Sequence, residues 1–276
     1  MHKLVSVNLF RLWRSKIFWA CMGIMLAYSV SLMLNGCRMA LRSTSEYGYC
    51  LEDFYFQFAI VIGGFCAIFS SLFHGTEYSD GTLRNKIVVG HTRPQIYLAN
   101  LLLTFIATLL FLGAWTLGAM VAIPTLGLWK MGFEGLALCL AIAVLFIAAF
   151  SAAFTAVNML CSNKAFSVTV SMLLFLGLLI LASNLDNSLN EPEMTSDVVM
   201  TADGLEMTDP VPNPGYVTGA KREVYEFLLD FLPTGQTLQL AYMKTGHPVR
   251  MLLCSAFLTA GITAGGIWAF RKKNLN

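Results

Sequence analysis

The chain has 276 residues and a formal net charge of +2, with 57% hydrophobic and only 12% charged residues. Soluble domains carry roughly 25% charged residues, so a water-soluble enzyme folded round one core is excluded. The composition is that of a membrane protein.

Six intervals contain no Asp, Glu, Lys or Arg: Lys16 to Arg38, Asp53 to Glu77, Arg93 to Lys130, Glu134 to Lys164, Lys164 to Asp186, and Arg250 to Arg271. Each is long enough for the about 20 helical residues that cross a ~30 Å hydrocarbon core. In lipid every backbone N–H and C=O must be satisfied within its own segment, and these runs lack the alternation of barrel strands, so the expected fold is an all-α membrane protein with six transmembrane helices. With the N-terminus inside, segments 1–16, 74–95, 159–164 and 271–276 hold eleven basic and two acidic residues, against seven basic and fourteen acidic outside. The positive-inside rule therefore predicts that both termini are cytoplasmic.

Residues 1–16 interleave Leu4, Val5, Leu9, Leu12 and Trp13 with Lys3, Asn8, Arg11, Arg14 and Lys16. That spacing predicts an amphipathic helix lying on the inner leaflet, its basic face toward anionic lipid headgroups and Trp13 at the boundary. A basic stretch before an apolar one also fits a signal peptide, and Leu34 to Cys37 looks like a lipoprotein cleavage box. Asn35 is unusual in that box, however, and the apolar run exceeds the roughly 7–15 residues of a signal. The first outer loop, expected over 35–53, contains Cys37 and Cys50, which oxidising surroundings would allow to pair. The other five cysteines show no metal-binding spacing, and no metal site is expected.

Span two is expected over 54–73, with Phe58 and the adjacent Gly63 and Gly64, residues that permit close helix contact or a bend. A polar, basic stretch follows over 74–95. The third run, from Gln95, is expected to stop at Pro124; the fourth, over 135–159, is rich in small residues; the fifth runs to about Ser183. Ser167 and Ser171 on the fifth could line a path or bond to their own helix. Spans one to five thus fill 17–183.

Residues 184–248 form the expected extracellular region. Its first half has seven acidic and no basic residues and four prolines, which predicts a loop with little regular structure. From Ala220 to Leu232, Val224, Phe227, Leu228 and Phe231 share one stripe, predicting a helix on the outer membrane surface. Beyond Pro233 a short second helix is expected to dip into the membrane. The sixth span, within 249–276, carries Gly261 and Gly265 in a spacing that suits helix packing, and ends on Arg271, Lys272 and Lys273.

No phosphate-binding loop, metalloprotease motif or nucleophile elbow occurs, and the four histidines are scattered. The six expected spans hold none of the ionisable residues that mark proton relays. A transporter powered from elsewhere, a passive channel, or a membrane sensor or scaffold remains.

The stretch from Gly75 to Leu102 resembles the loop between spans two and three of the permease subunits of type-2 ABC exporters, particularly the bacitracin and lantibiotic self-protection group. The pattern there is an acidic residue near the end of span two, Gly-Thr, a basic and polar run, Gly, and Arg before span three. This chain supplies Glu77, Gly81 and Thr82, Arg84, Asn85 and Lys86, Gly90, and Arg93. The amphipathic basic N-terminus, six spans, long loop before the last span and Leu-Pro-x-Gly near its end agree.

The resemblance implies that 77–93 forms a coupling helix docking on a separate ATP-binding subunit, present in two copies and holding ATP and Mg²⁺. This chain would bind no cofactor itself. It implies that 1–16 is a connecting helix bracing the same subunit through Arg11, Trp13, Arg14 and Lys16. Asp80 is expected to start the coupling helix, with Arg84 and Lys86 free to pair with acids on the partner; Glu77 could equally pair with Arg84 or Arg93 within the loop. A second permease, identical or homologous, would complete the path, with membrane lipid around it and no nucleic acid partner.

Overall fold

The computed structural model describes residues 2–42, 48–127, 129–196, 198–201, 204–207 and 209–273. Twelve α-helices are formed among them. Six helical segments are long and apolar enough to cross a membrane: Lys16–Arg42 (α2), Glu52–Ser79 (α3, Glu52–Tyr55, running into α4, Phe58–Ser79), Arg93–Leu126 (α6, Arg93–Ala119, a 3₁₀ turn Met120–Ala122, and α7, Ile123–Leu126), Gly132–Leu160 (α8), Lys164–Asn190 (α9) and Pro248–Lys272 (α12). The chain is an all-α, multi-pass membrane protein. The amphipathic segment forms α1 (His2–Arg14), and α5 (Thr82–Val88) lies between the second and third spans.

The helices overrun the charge-free intervals at several ends, because an apolar count measures what lipid holds and not where the backbone stops being helical. Three expectations change as a result. The spans do contain ionisable residues: His74 and Glu77 are in the last turns of α4, and Asp186 lies near the end of α9. Pro124 does not end the third span but occupies the first turn of α7, where its missing N–H costs nothing. Cys37 is on α2, buried, and not in a loop, and it and Cys50 are free thiols. Residues 43–47 of that expected loop lie outside the described residues.

The core is a spine of aromatic rings. Phe18 of α2 stacks on Phe111 of α6 at 5.8 Å and meets Phe69 of α4 edge-on at 6.2 Å, while Phe58 lies 6.4 Å from Trp115. Phe58 is thus a core residue. The glycine pair of span two serves packing: a Cβ at Gly63 would lie 2.5 Å from the Phe175 ring of α9 and 3.0 Å from Phe150 of α8. The absence of a side chain there lets α4, α8 and α9 close up. Among the described residues, nothing lies within 4 Å of where a Cβ at Gly261 or Gly265 would go.

The acidic half of the long loop is more regular than its composition predicts. It holds two antiparallel ladders, β1 (Met194–Thr195) with β4 (Val211–Pro212) and, nested between them, β2 (Val198–Thr201) with β3 (Gly204–Met207). The β-branched run at Val198 and Val199 favours pairing. The chain then forms α10 (Gly219–Phe231) and α11 (Pro233–Ala241). Residues Thr234 to Ala241 are all buried, as expected of a helix dipping inward. Its polar groups are satisfied there: Gln236 Nε2 donates to Asp230 O (2.7 Å) and Met251 O (2.9 Å), its Oε1 accepts from Ser255 Oγ (2.7 Å), and Thr234 Oγ1 donates to Leu178 O (2.9 Å).

Candidate functional site

The site is assembled where α1, α4, α5 and α6 meet. Span two stays helical through Ser79, which places Glu77 in its last turn. Gly81 then takes φ +65°, a left-handed conformation open to glycine, and turns the chain into α5. Helix α5 closes with a Schellman arrangement in which His91 N–H donates to Lys86 O (3.1 Å) and Gly90 N–H to Ile87 O (2.9 Å), Gly90 having φ +96°. Gln95 accepts from Thr92 N–H (3.2 Å) to start α6. A seven-residue helix is thereby held between two sharp turns at the end of two spans.

Glu77 is fully buried, and its carboxylate is the centre of the arrangement. Oε1 accepts from Arg11 Nη1 of α1 and from Lys86 Nζ of α5 (2.7 Å); Oε2 accepts from Asn100 Nδ2 of α6 (3.0 Å). The ring of contacts closes on itself, since Asn8 Nδ2 of α1 donates to Asn100 Oδ1 (2.9 Å) and Lys86 Nζ donates to Asn8 Oδ1 (3.1 Å). Below it, His74 Nε2 meets Thr104 Oγ1 at 2.8 Å, and Thr104 donates to Asn100 O (3.0 Å). Desolvation of a lone carboxylate would be prohibitive, and two cations and an amide offset it. Burial holds the Lys86 ammonium below its usual pKa, with the Glu77 charge opposing that shift.

This geometry corrects several residue assignments. Glu77 pairs with Arg11 and Lys86, not with Arg84 or Arg93, because the αL turn at Gly81 points Lys86 back at α4 and leaves Arg84 outside. Lys86 is therefore not free for a partner, whereas Arg84 and Asn85 are exposed. Asp80 caps nothing in α5; Gly81 holds the N-cap position, and Asp80 accepts only from Ser79 Oγ (3.3 Å). Thr82 Oγ1 donates to Glu77 O (3.2 Å). Arg93 reaches the end of α12, donating from Nη1 to Phe270 O (3.1 Å), Arg271 O (2.8 Å) and Lys273 O (2.6 Å).

In the N-terminal helix, Arg11 also lies 5.1 Å over the Phe73 ring, and Arg14 lies 4.4 Å over Phe10. Trp13 is exposed, packs 5.7 Å from Trp19, and accepts from Trp19 Nε1 through its carbonyl (2.8 Å). Lys16 opens α2. Ser167 and Ser171 are both buried. Both belong to a buried polar knot in which Asn158 Oδ1 accepts from Ser71 (2.9 Å) and Ser167, Asn158 Nδ2 donates to Ser70 (2.9 Å), and Ser71 Oγ donates to Ser171 Oγ (3.0 Å).

Asn8, Asn100, His74 and Thr104 were missed by sequence reasoning that counted charges, since none of them is a charged residue at neutral pH. The available signal was the spacing of Leu4, Asn8 and Arg11, which places the three on one helical face. The arrangement contains no nucleophile paired with a base. It ties α1 and α5 to the inner ends of two spans.

Residues 4–178 match the sequence model of a family described as ABC-2 family transporter protein. No curated protein matches the chain at a level that marks a relative.

Proposed function

The chain belongs to the ABC-2 family of transporter proteins, and we propose that it is the permease subunit of an ATP-binding cassette exporter that moves amphipathic peptides or lipophilic antibiotics out of the plasma membrane, as in the bacitracin and lantibiotic self-protection group. In this reading both termini are cytoplasmic, two permeases face each other, and two copies of an ATP-binding subunit holding ATP and Mg²⁺ dock on α5. Hydrolysis takes place on that subunit. This chain supplies the path and the joint.

The observation that carries the reading is the four-helix clasp at Glu77. Closure of the two ATP-binding subunits would push on α5, and the buried ion pairs would pass that push to α1, α4 and α6 together. The outer surface of α5 suits docking: Val88 and Val89 are 84% and 77% exposed, beside exposed Arg84 and Asn85. An apolar groove of about 310 Å³ continues between α5 and α1, lined by Leu4, Val7, Asn85, Val89 and His91 among others. The charge-free middles of the spans favour apolar cargo.

The test is an ATPase and transport assay on the chain purified from its native membrane. It is expected to retain a vanadate-sensitive ATPase, and Val88→Asp with Val89→Asp is expected to shed that subunit and abolish protection against bacitracin- or lantibiotic-type peptides. A chain that carries no ATPase and moves no cargo would be a sensor or scaffold. One that conducts in liposomes without ATP would be a channel. Either result overturns the proposal.

A further inference from the structure

At the same end of the molecule as the clasp, the last turn of α12 is held by residues from three other spans. The final carbonyls of a helix have no partners within it, and here Arg93 Nη1 donates to three of them, at Phe270, Arg271 and Lys273. Lys273 Nζ in turn donates to Tyr78 OH of α4 (3.0 Å) and to Met159 O of α8 (3.1 Å), and Tyr78 OH donates to Met159 O. Charge-assisted bonds of this kind are the stronger class. Apolar packing reinforces them: Phe270 shares a buried cluster with Leu4 of α1, Leu83 of α5, Ile96 and Tyr97 of α6 and Met159 of α8. Gly266 opens the notch that receives Tyr97, for a Cβ there would lie 2.2 Å from the Tyr97 hydroxyl.

Although it is the least buried of the six spans, α12 packs along α8, and its outer end is tied to α10 and α11 through Arg250, Met251 and Ser255. Its inner end has a tie of its own, and Arg93 makes it from the residue that opens α6, shortly after α5.

Resting on the proposed ATP-driven coupling, we infer that Arg93 and Lys273 are positioning residues that lock the inner end of span six to the coupling helix, so that α5 and the end of α12 move as one body during transport. The arginine acts through α12 and touches neither cargo nor ATP. Lys86 and Arg93 then divide the work: one draws α1 into the moving body and the other draws in α12.

The test uses the full complex in nanodiscs, with non-canonical spin-label residues at positions 84 and 272 so that the native cysteines stay in place. In the unaltered chain the separation between the two labels is expected to be the same with and without ATP and vanadate, while the distance from position 84 to its copy in the second permease changes. Arg93→Ala and Lys273→Ala are each expected to broaden the 84–272 separation and to make it depend on ATP by ~5 Å, about one helical turn. Arg93→Lys, which keeps a cationic N–H donor for the carbonyls, is expected to restore a narrow separation, and gel filtration establishes that each variant is folded. A wild-type 84–272 separation that changes with ATP, or alanine variants as narrow and constant as wild type, would overturn the inference. If position 84 itself does not respond to ATP in the unaltered complex, the coupling reading fails instead.

Discussion

Asn8 and Asn100 stand 92 positions apart in the chain and are joined by a 2.9 Å hydrogen bond from Asn8 Nδ2 to Asn100 Oδ1. That bond, together with Lys86 donating to Asn8, closes a ring of Glu77, Asn100, Asn8 and Lys86 in which each member is held by two others, with Arg11 added at Glu77. Contacting residues in one network are not additive. Asn8→Ala and Asn100→Ala are each expected to destabilise the protein, and the double variant to cost less than the sum of the two by about 0.5–3 kcal/mol. Thermal unfolding of the four proteins in one detergent checks this.

Removing the centre of the ring has a larger effect. Glu77→Ala leaves Arg11 and Lys86 side by side without their shared anion, and breaking a buried pair in this way costs about 3–5 kcal/mol. Adding Lys86→Met to Glu77→Ala should recover part of the loss, because it removes one of the two stranded charges. Recovery measured as melting temperature separates electrostatic frustration from simple loss of packing, which the second change would worsen.

Gly81 has open space where a Cβ would go, so Gly81→Ala meets no clash and only the left-handed backbone opposes it, by about 1–2 kcal/mol. The penalty falls on the turn. Hydrogen exchange in α5 should therefore rise while the melting of the span bundle changes little, and Gly81→Asn should exchange more slowly than the alanine variant, because asparagine tolerates that conformation better.

Gly63 is the reverse case, with helical backbone and no room. Gly63→Ala forces the Phe175 ring away, and overpacking of this kind costs typically about 1–3 kcal/mol. Trimming the ring with Phe175→Leu in the same chain should offset most of that cost, although Phe175→Leu alone destabilises. The sign of the coupling between the two changes, measured by unfolding in detergent, decides whether the glycine is there for this contact.

At the other end of the molecule, Asp230 is buried beside Arg250 and accepts from Gln239 Nε2 (2.8 Å). Arg250→Met leaves that carboxylate without its cation, and the same argument as for Glu77 gives a loss of about 3–5 kcal/mol. Arg222, which pairs with Glu226 one helical turn away and is more than a third exposed, should be replaceable by alanine with a change of about 0.5 kcal/mol or less. The contrast between the two arginines is read from melting temperatures.

The spans were legible because lipid imposes a compositional rule that leaves long gaps between charges, and α5 and α10 were legible from turn residues and a single apolar stripe. The partners of Glu77 were not. A carboxylate at the end of a span suggests some cation, and Arg84 and Arg93 are nearer in sequence than Arg11, but the direction of α5 depends on the turn at Gly81 and on Asn8 and Asn100, which composition treats as ordinary polar residues. The nested ladders over 194–212 were missed for a related reason: acidic charge and proline argue for loop, while Val198 and Val199 supply the local pairing preference. A short helix dipping into the membrane was expected after Pro233, yet the bonds that make its burial tolerable come from Asp230, Leu178, Met251 and Ser255 on three other helices.

The clasp also sets an order of biogenesis. Arg11 is synthesised 66 residues before Glu77, and Asn8 92 residues before Asn100, so α1 leaves the ribosome long before anything exists for it to hold. Until spans two and three have inserted, its basic face has only anionic headgroups to neutralise it. Lipid composition thereby enters maturation as a temporary counterion: membranes poor in acidic lipid should slow the docking of α1 while leaving the finished clasp, whose charges are internally paired, unaffected.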